Sequence, residues 1–364
     1  MRFVEIIGGW INRYFSNEEA VYLIVVLLAG FGLLFIFGTA LAPVLTGLVL
    51  AFLLQGLVAR LERWHLPRSL AVYLTFLFFI GGFAALLLFI FPLVWRQLAA
   101  FVNALPDVIQ RLQEAARGLP EAFPNVIDDA QVDAWLQTLG TELASFGRAV
   151  LEQSVTQLPS VVGWLIYLIL VPISVFFFLK DGDRLTRWFL GLLPKNRPLL
   201  DQVGSEMNVQ IANYIRGKFI EILIVGAASY LAFVLLGLNY AALMALLVGL
   251  SVLVPFVGAA VVTIPVALVA LIQWGWTIDT VYLLVAYGGI QAVDGNVIVP
   301  LLFSEAVDLH PIAIIVAVLA FGGLWGFWGV FFAIPLATLI KAVMNAWPAY
   351  PLNPEPASTD QETV

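Results

Sequence analysis

Long apolar runs separated by short polar ones fill almost the whole chain, and their lengths predict helices that cross a membrane. A spanning helix needs about 20 apolar residues. Residues 21–38 and 41–59 read as the first two spans, with Pro43 near the start of the second, where a proline is tolerated. Residues 70–93 read as the third span and 158–179 as the fourth. Ahead of them, Phe3, Ile6, Ile7, Trp10, Ile11 and Tyr14 recur at helical spacing. With Arg2, Glu5, Asn12 and Arg13 on the other face, 1–16 is expected to lie on the membrane as an interfacial helix.

The second half is patterned differently. After Pro198, the residues Val203, Met207, Ile211 and Ile215 share one helical face, and nothing breaks the pattern before Glu221. One helix is therefore expected to run straight into a fifth span that ends at 237–239. From 222 to 278 the chain has no charged residue, a length too great for two spans and short for three. Its break at Pro255-Phe256-Val257-Gly258 leaves two short apolar halves, which predicts a re-entrant hairpin or broken pair over 240–273. Residues 281–299 read as the next span. Residues 309–343 then form a second interrupted segment, with a turn expected in its glycine-rich middle, 321–329. A shift of 70 residues lays Tyr240 on His310 and Ile264-Pro265 on Ile334-Pro335 without a gap, so the two hairpins read as copies.

Composition narrows the class. Of 364 residues, 62% are hydrophobic and 11% charged, far from the balance of a soluble domain. The fold class expected is an all-α polytopic membrane protein: six or more spanning helices, two broken or re-entrant hairpins and a small extramembrane helical subdomain. That subdomain is placed at 94–157, where Asp107, Glu114, Glu121, Asp128, Asp129, Asp133, Glu142 and Glu152 outnumber the basic residues. The remaining units are 17–93 with spans one to three, 158–180 with span four, 181–218 as cytoplasmic amphipathic helices, 219–345 as the transmembrane core, and 346–364 as a disordered tail. The basic stretches at 60–68 and 180–218 hold most of the 17 Lys and Arg residues. The positive-inside rule puts them, and the N-terminus, in the cytoplasm, and 94–157 outside. Residues 1–16 lack the pattern of a cleaved signal.

A net charge of −7 argues against a nucleic-acid partner. With no cysteine, and only His65 and His310 far apart, no thiolate or histidine metal site is expected, nor any cofactor. The Asp181-Gly182-Asp183-Arg184 stretch makes a poor calcium loop and reads as a turn just inside the membrane. No His-Glu-x-x-His, no pair of intramembrane acids and no nucleotide-binding loop occurs, so neither an enzyme nor ATP hydrolysis by this chain is expected.

What remains is the chemistry of a path. Asp294 is the first candidate, because an ionisable group inside a span is costly and needs a task or a partner. Gln291 precedes it by one turn, and Asn296 and Pro300 follow; Pro300 withholds a backbone donor, so carbonyls near the carboxylate are expected to be free. Carboxylate, amide and carbonyl oxygens suit a cation or a polyhydroxylated ligand. Glu221 reads first as the partner of Lys218 one turn away, and His310, before Pro311, as a helix cap, with proton relay the alternative. Pro255 and Gly258 in the first hairpin, and Gly322, Gly323 and Gly326 in the second, allow breaks that line a cavity. Gln273, Trp274 and Trp276 read as an interfacial belt.

Four stretches carry a resemblance. They are PISVFFFLKDGDR from Pro172 to Arg184; Tyr214-Ile215-Arg216-Gly217; Val254-Pro255-Phe256-Val257-Gly258 followed by Ile264-Pro265; and Gln291, Asp294-Gly295-Asn296 and Pro300, followed by Leu309-His310-Pro311, Gly322-Gly323, Gly326, Gly329 and Pro335. In this order and spacing the chain resembles the AI-2E family of transporters, the PerM-type permeases, along most of its length. Asp294 stands where that family more often has Glu, which keeps the charge and shortens its reach. The resemblance implies a secondary transporter or exporter of the bacterial inner membrane. Its solute would be autoinducer-2, the quorum-sensing signal, or a related polar metabolite. Sodium or lithium–proton antiport is the alternative. A third reading is an oligomeric membrane scaffold. The partners expected are the lipid bilayer, a small-molecule or cation substrate and other copies of the chain in a homo-oligomer.

Overall fold

A computed structural model describes residues 18–116, 161–255, 257–303 and 309–346, with isolated positions between 134 and 145. Among these residues there is no strand, and seven helices are long and apolar enough to cross a bilayer. The expectations for 1–16, for most of 117–160 and for 347–364 lie outside the described residues.

The first two expected spans are one helix. α1 runs unbroken over Glu18–Arg63, 46 residues, or about 69 Å against a hydrocarbon layer of about 30 Å. Between the two runs stand only Thr39 and Ala40, after a lone Gly38, and one glycine weakens a helix without reversing it. Pro43 is also housed inside α1. The boundary expected at 94 is likewise no break. α2 (Arg68–Ala85) passes through a π-helical turn at Leu86–Ile90 into α3 (Phe91–Ala116). Beyond 94, Phe101, Val102 and Leu105 are buried in the largest core cluster, and Gln97 accepts a hydrogen bond from the Leu243 amide at 2.8 Å. Residues 97–105 therefore pack against the first hairpin, and most of the expected subdomain lies outside the described residues.

α4 (Val161–Gly191) overturns another expectation, since the turn assigned to 181–184 is helical. Gly182 alone does not stop a helix, and Asp183 is held by Arg68 at the start of α2, 2.6 Å away. The reversal comes later. Arg197 bonds the Leu190 and Pro194 carbonyls and Asp201, 3.0 Å away, which closes the turn into α5 (Pro198–Leu235). α5 runs through Glu221 into its span as expected and stops before Gly237, whose φ of 74° ends the helix.

The two hairpins follow. α6 (Ala241–Ser251) has 11 residues, about 16 Å, and cannot cross a bilayer alone. α7 (Val257–Trp274) returns from it. α8 (Ile278–Val293), a π-helical turn at Asp294–Ile298 and α9 (Val299–Phe303) make the next span. α10 (Pro311–Phe331) bends at Gly326 (φ 57°, ψ −131°), and α11 (Ala333–Ala346) completes the second hairpin. α6 and α10 begin 70 residues apart, at the offset read from the sequence. In each hairpin one glycine lies against the helix before the bend. A Cβ at Gly258 would overlap the Ser251 carbonyl, and one at Gly329 the Phe321 carbonyl.

α5 is the axis of the molecule. It packs on α1, α6, α8 and α11, while α4 lies along α1. α5 and α6 approach closely where a Cβ on Gly249 would sit 3.1 Å from Gly226 Cα, the small-residue contact that membrane helices favour. Val254, in the first break, packs against Ala317, Val318 and Ala333 of the second hairpin, so the two hairpins meet.

Candidate functional site

The buried stripe of α5 carries charge where an apolar row is expected. Tyr214, Lys218, Glu221 and Val225 follow at helical spacing, and Lys218 and Glu221 are only 4% and 2% exposed. Burying a charge is costly unless it is paired. Lys218 Nζ lies 2.8 Å from Glu221 Oε2 and donates to the Val252 carbonyl at 2.8 Å. Among the described residues, Lys218 is the partner that faces Oε2. Lys218 Nζ also stands 5.2 Å from the Phe303 ring centroid, within cation–π range. Val252 is the residue just past α6, where helical carbonyls lose their amide partners and the dipole is negative. A cation placed there satisfies both. The first hairpin break is thus fastened to the charged stripe of α5.

Asp294 faces the same place from α8. It is 8% exposed and opens the π-helical turn. It lies within electrostatic reach of both Lys218 and Glu221, and its Oδ1 has no hydrogen-bond partner among the described residues. Gln291, one turn earlier, has its Nε2 buried and likewise unpartnered. The π turn has a local cause. Pro300 cannot donate to Asn296, and its ring crowds that carbonyl; widening the preceding turn relieves the clash. The Val299 amide then reaches Asp294 O, five residues back. The same relation recurs at Leu86–Ile90, two residues before Pro92.

The second hairpin is fastened to α5 one turn away. Tyr214 donates to the Phe331 carbonyl at 2.9 Å, and Tyr214, Ile215, Phe303 and Ile334 share a core cluster. Gly217 makes room for Phe303, since a Cβ there would lie 2.7 Å from the ring.

Of the residues expected from sequence, the structure brings Asp294 and Glu221 together around Lys218, which also bonds Val252, three residues before Pro255. Gly258 seats α7 against the end of α6. Asn296 and Pro300 are exposed; the Asn296 amide donates to Ala292 O at 2.8 Å. His310 is exposed and caps α10 by accepting from the Ile312 amide at 3.2 Å, so it joins the helix start and not the charged centre. Gly322 faces Val330 across the bend, while Gly323 and Gly326 are exposed. Lys218, Tyr214 and the Val252 carbonyl are the parts that the sequence reading left out of the site. For the two side chains the signal was the 214, 218, 221 spacing on one face of α5; the Val252 carbonyl had none. Gln273, read as part of an interfacial belt, instead clamps the turn after α5: its Oε1 accepts from the Asn239 amide at 2.7 Å, and its Nε2 donates to Gly237 O at 2.8 Å. No group of three metal-ligating His, Cys, Asp or Glu residues occurs among the described residues.

Spanning helices, interrupted hairpins and a buried charged centre between them are the build of a multi-pass membrane permease. Residues 23–349 match the model of the AI-2E family transporters, and the chain belongs to that family. It is 45% identical over 350 residues to PerM of Escherichia coli (strain K12), which is named as a permease; the match covers 95% of this chain and 98% of PerM. It is 25% identical over 307 residues to YueF of Bacillus subtilis (strain 168), named as a transport protein, covering 82% of each chain. A protein of Synechocystis sp. named as a transport protein is 26% identical over 360 residues, covering 93% of this chain and 88% of its own length.

Proposed function

We propose that this transporter moves a small polar solute, autoinducer-2 or a related metabolite, across the bacterial inner membrane along a path that passes Asp294. The observation that carries this is the buried Asp294 carboxylate, unpartnered at Oδ1, set beside the Lys218–Glu221 pair and the first hairpin break. A polyhydroxylated solute offers hydroxyl donors to that carboxylate and acceptors to the Gln291 amide. No nucleotide-binding loop is present in the sequence, so an ion gradient, a channel-like mechanism or a partner drives the flux. The basic C-terminal end of α1, the basic end of α4 and the basic turn into α5 face the cytoplasm in this reading, with 117–157 outside; a single crossing by α1 would then put its N-terminal end outside too, not in the cytoplasm as two separate spans would place it.

A second reading rests on charge. With ordinary ionisation, Lys218, Glu221 and Asp294 carry one net negative charge in a buried place, which favours taking up a cation. That suits sodium or lithium exchanged for protons. Proteoliposomes with an imposed pH gradient separate the two. Sodium, lithium and autoinducer-2 are added in turn to the native chain and to Asp294→Asn. Uptake of the organic solute by the native chain and not by the variant supports the first reading. Collapse of the gradient by sodium or lithium, lost in the variant, supports the second. Equal activity of variant and native chain on every solute removes Asp294 from the path.

A further inference from the structure

We infer that the basic end of the α1–α5 contact is a binding site for the phosphate of an anionic bilayer phospholipid, gripped by Arg216 of α5 and drawn in by Arg60 and Arg63 of α1. Arg216 takes no part in the charged centre. Its Nε is closed off with no hydrogen-bond partner, and no carboxylate pairs with it among the described residues. The side chain lies on α1 at Gly56, where a Cβ would stand 3.7 Å from Nε and 3.9 Å from Cδ. Only Nε is shut in; the residue is half-buried, so the outer nitrogens of the guanidinium stay open. Gly56, Arg60 and Arg63 stand at i, i+4 and i+7, on one face of α1. Two further guanidinium groups thus follow Arg216 within two turns of helix. Neither has an ion-pair partner among the described residues, and Glu62 lies off that face. The dipole at the end of α1 accounts for Arg60 and Arg63 alone. Arg216, in the interior of α5, gains nothing from a helix end, and its charge needs another partner.

Depth identifies that partner. Arg216 stands where the exposed side of α5 turns from polar to apolar. Gln202, Glu206 and Asn208 are exposed before it, and Phe219, Ile220 and Leu223 are 40%, 42% and 54% exposed after it. The last three follow Arg216 at i+3, i+4 and i+7 and share its face. Along α1 the exposed residues change from Leu33, Phe35 and Ile36 to Arg60 and Arg63. The two boundaries meet at Gly56 and Arg216, the level at which hydrocarbon gives way to phosphate and where a long basic side chain reaches for the interface. A phosphodiester at that level accepts two parallel hydrogen bonds from a guanidinium. Its acyl chains run along Phe219, Ile220 and Leu223. Three arginines with no acid on their faces favour a headgroup that brings no cation of its own, so phosphatidylglycerol is preferred to phosphatidylcholine. The site does not depend on the solute proposed at Asp294.

The test uses the full chain in detergent, given phosphatidylglycerol, phosphatidylcholine or inorganic phosphate in turn. Thermal midpoints are recorded, and bound lipid is titrated by native mass spectrometry. Phosphatidylglycerol should raise the midpoint of the native chain and stay bound where phosphatidylcholine is stripped. Arg216→Gln removes an unpaired charge, so its midpoint without added lipid should not fall. Its affinity for phosphatidylglycerol should fall roughly five-fold, the worth of one basic residue beside an anionic surface. Arg60→Gln, at the exposed end of α1, should weaken binding by a similar factor, and it gives the same reading should Arg216→Gln fail to fold. Arg187→Gln, exposed on α4, should leave the affinity unchanged. Native affinity in both Arg216→Gln and Arg60→Gln overturns the site, and so does an equal loss in Arg187→Gln, which would be attraction by net charge alone. Equal binding of phosphatidylcholine overturns the anionic headgroup. A midpoint raised as far by inorganic phosphate overturns the lipid.

Discussion

At the scale of single residues, the hairpins depend on two glycines and the charged centre on one pair. Gly258 and Gly329 each lie where a methyl group would overlap a backbone carbonyl, and a backbone atom cannot step aside as a side chain can. Gly258→Ala and Gly329→Ala are each expected to destabilise the protein by about 1–3 kcal/mol, the range of overpacking. Gly323→Ala meets nothing within 4 Å and should be neutral or stabilising. Thermal unfolding in detergent separates the three, and equal midpoints would show that the hairpins do not need those contacts. The pair Lys218–Glu221 is buried at both ends. Lys218→Met leaves Glu221 uncompensated and should cost about 3–5 kcal/mol, while adding Glu221→Met should recover most of it. If the double variant is no more stable than the single one, the pair is not the source of the loss. The sequence exposed this pair, because Lys218 and Glu221 are one turn apart on one helix. It hid the Val252 carbonyl, since a backbone group 34 residues away leaves no mark in side-chain type.

Among elements, what the sequence conveyed and what it concealed follow the same physics. Interruptions were readable where proline and glycine cluster, at Pro255 to Gly258 and in the glycine run that bends at Gly326. Continuity was not. Hydropathy gives the same signal for two stacked spans as for the single helix α1, and the acidic composition beyond residue 94 disguised the apolar face of Phe101, Val102 and Leu105. The π turns were half visible: Pro300 announced a disturbance, but its remedy lies in the turn before it. Replacing Pro300 by Ala restores a donor to Asn296 O and removes the reason for the wide turn. α9 should then rotate relative to α8, carrying Phe303 away from Gly217 and Tyr214. The expected outcome is a folded protein with reduced solute flux in proteoliposomes. Full flux would mean that the π turn, and Asp294 at its head, are held by packing alone.

The whole molecule joins these parts through α5. Both hairpins are bonded to it at backbone carbonyls, Val252 by Lys218 and Phe331 by Tyr214, one helical turn apart. On the proposed path, any movement of one hairpin relative to the other must work against these two bonds to α5. Its N-terminal turn follows Lys195 and Arg197, and α4 before it carries Arg184 and Arg187. On the positive-inside rule that end is expected in the cytoplasm, and the acidic segment that follows α3 in the sequence outside. The native sequence contains no cysteine, so one introduced thiol reports on its own position without any background substitution. Arg187→Cys and Gln137→Cys each replace a solvent-exposed residue. In intact cells whose outer membrane is permeabilised, a membrane-impermeant maleimide should label Gln137→Cys and spare Arg187→Cys. Disrupting the inner membrane should make both reactive. The reverse pattern would turn the molecule over, placing the α4–α5 turn outside and the basic residues against the rule. Labelling of both in intact cells would mean that α4 does not cross the membrane as one span, and the path past Asp294 would then need a different set of walls.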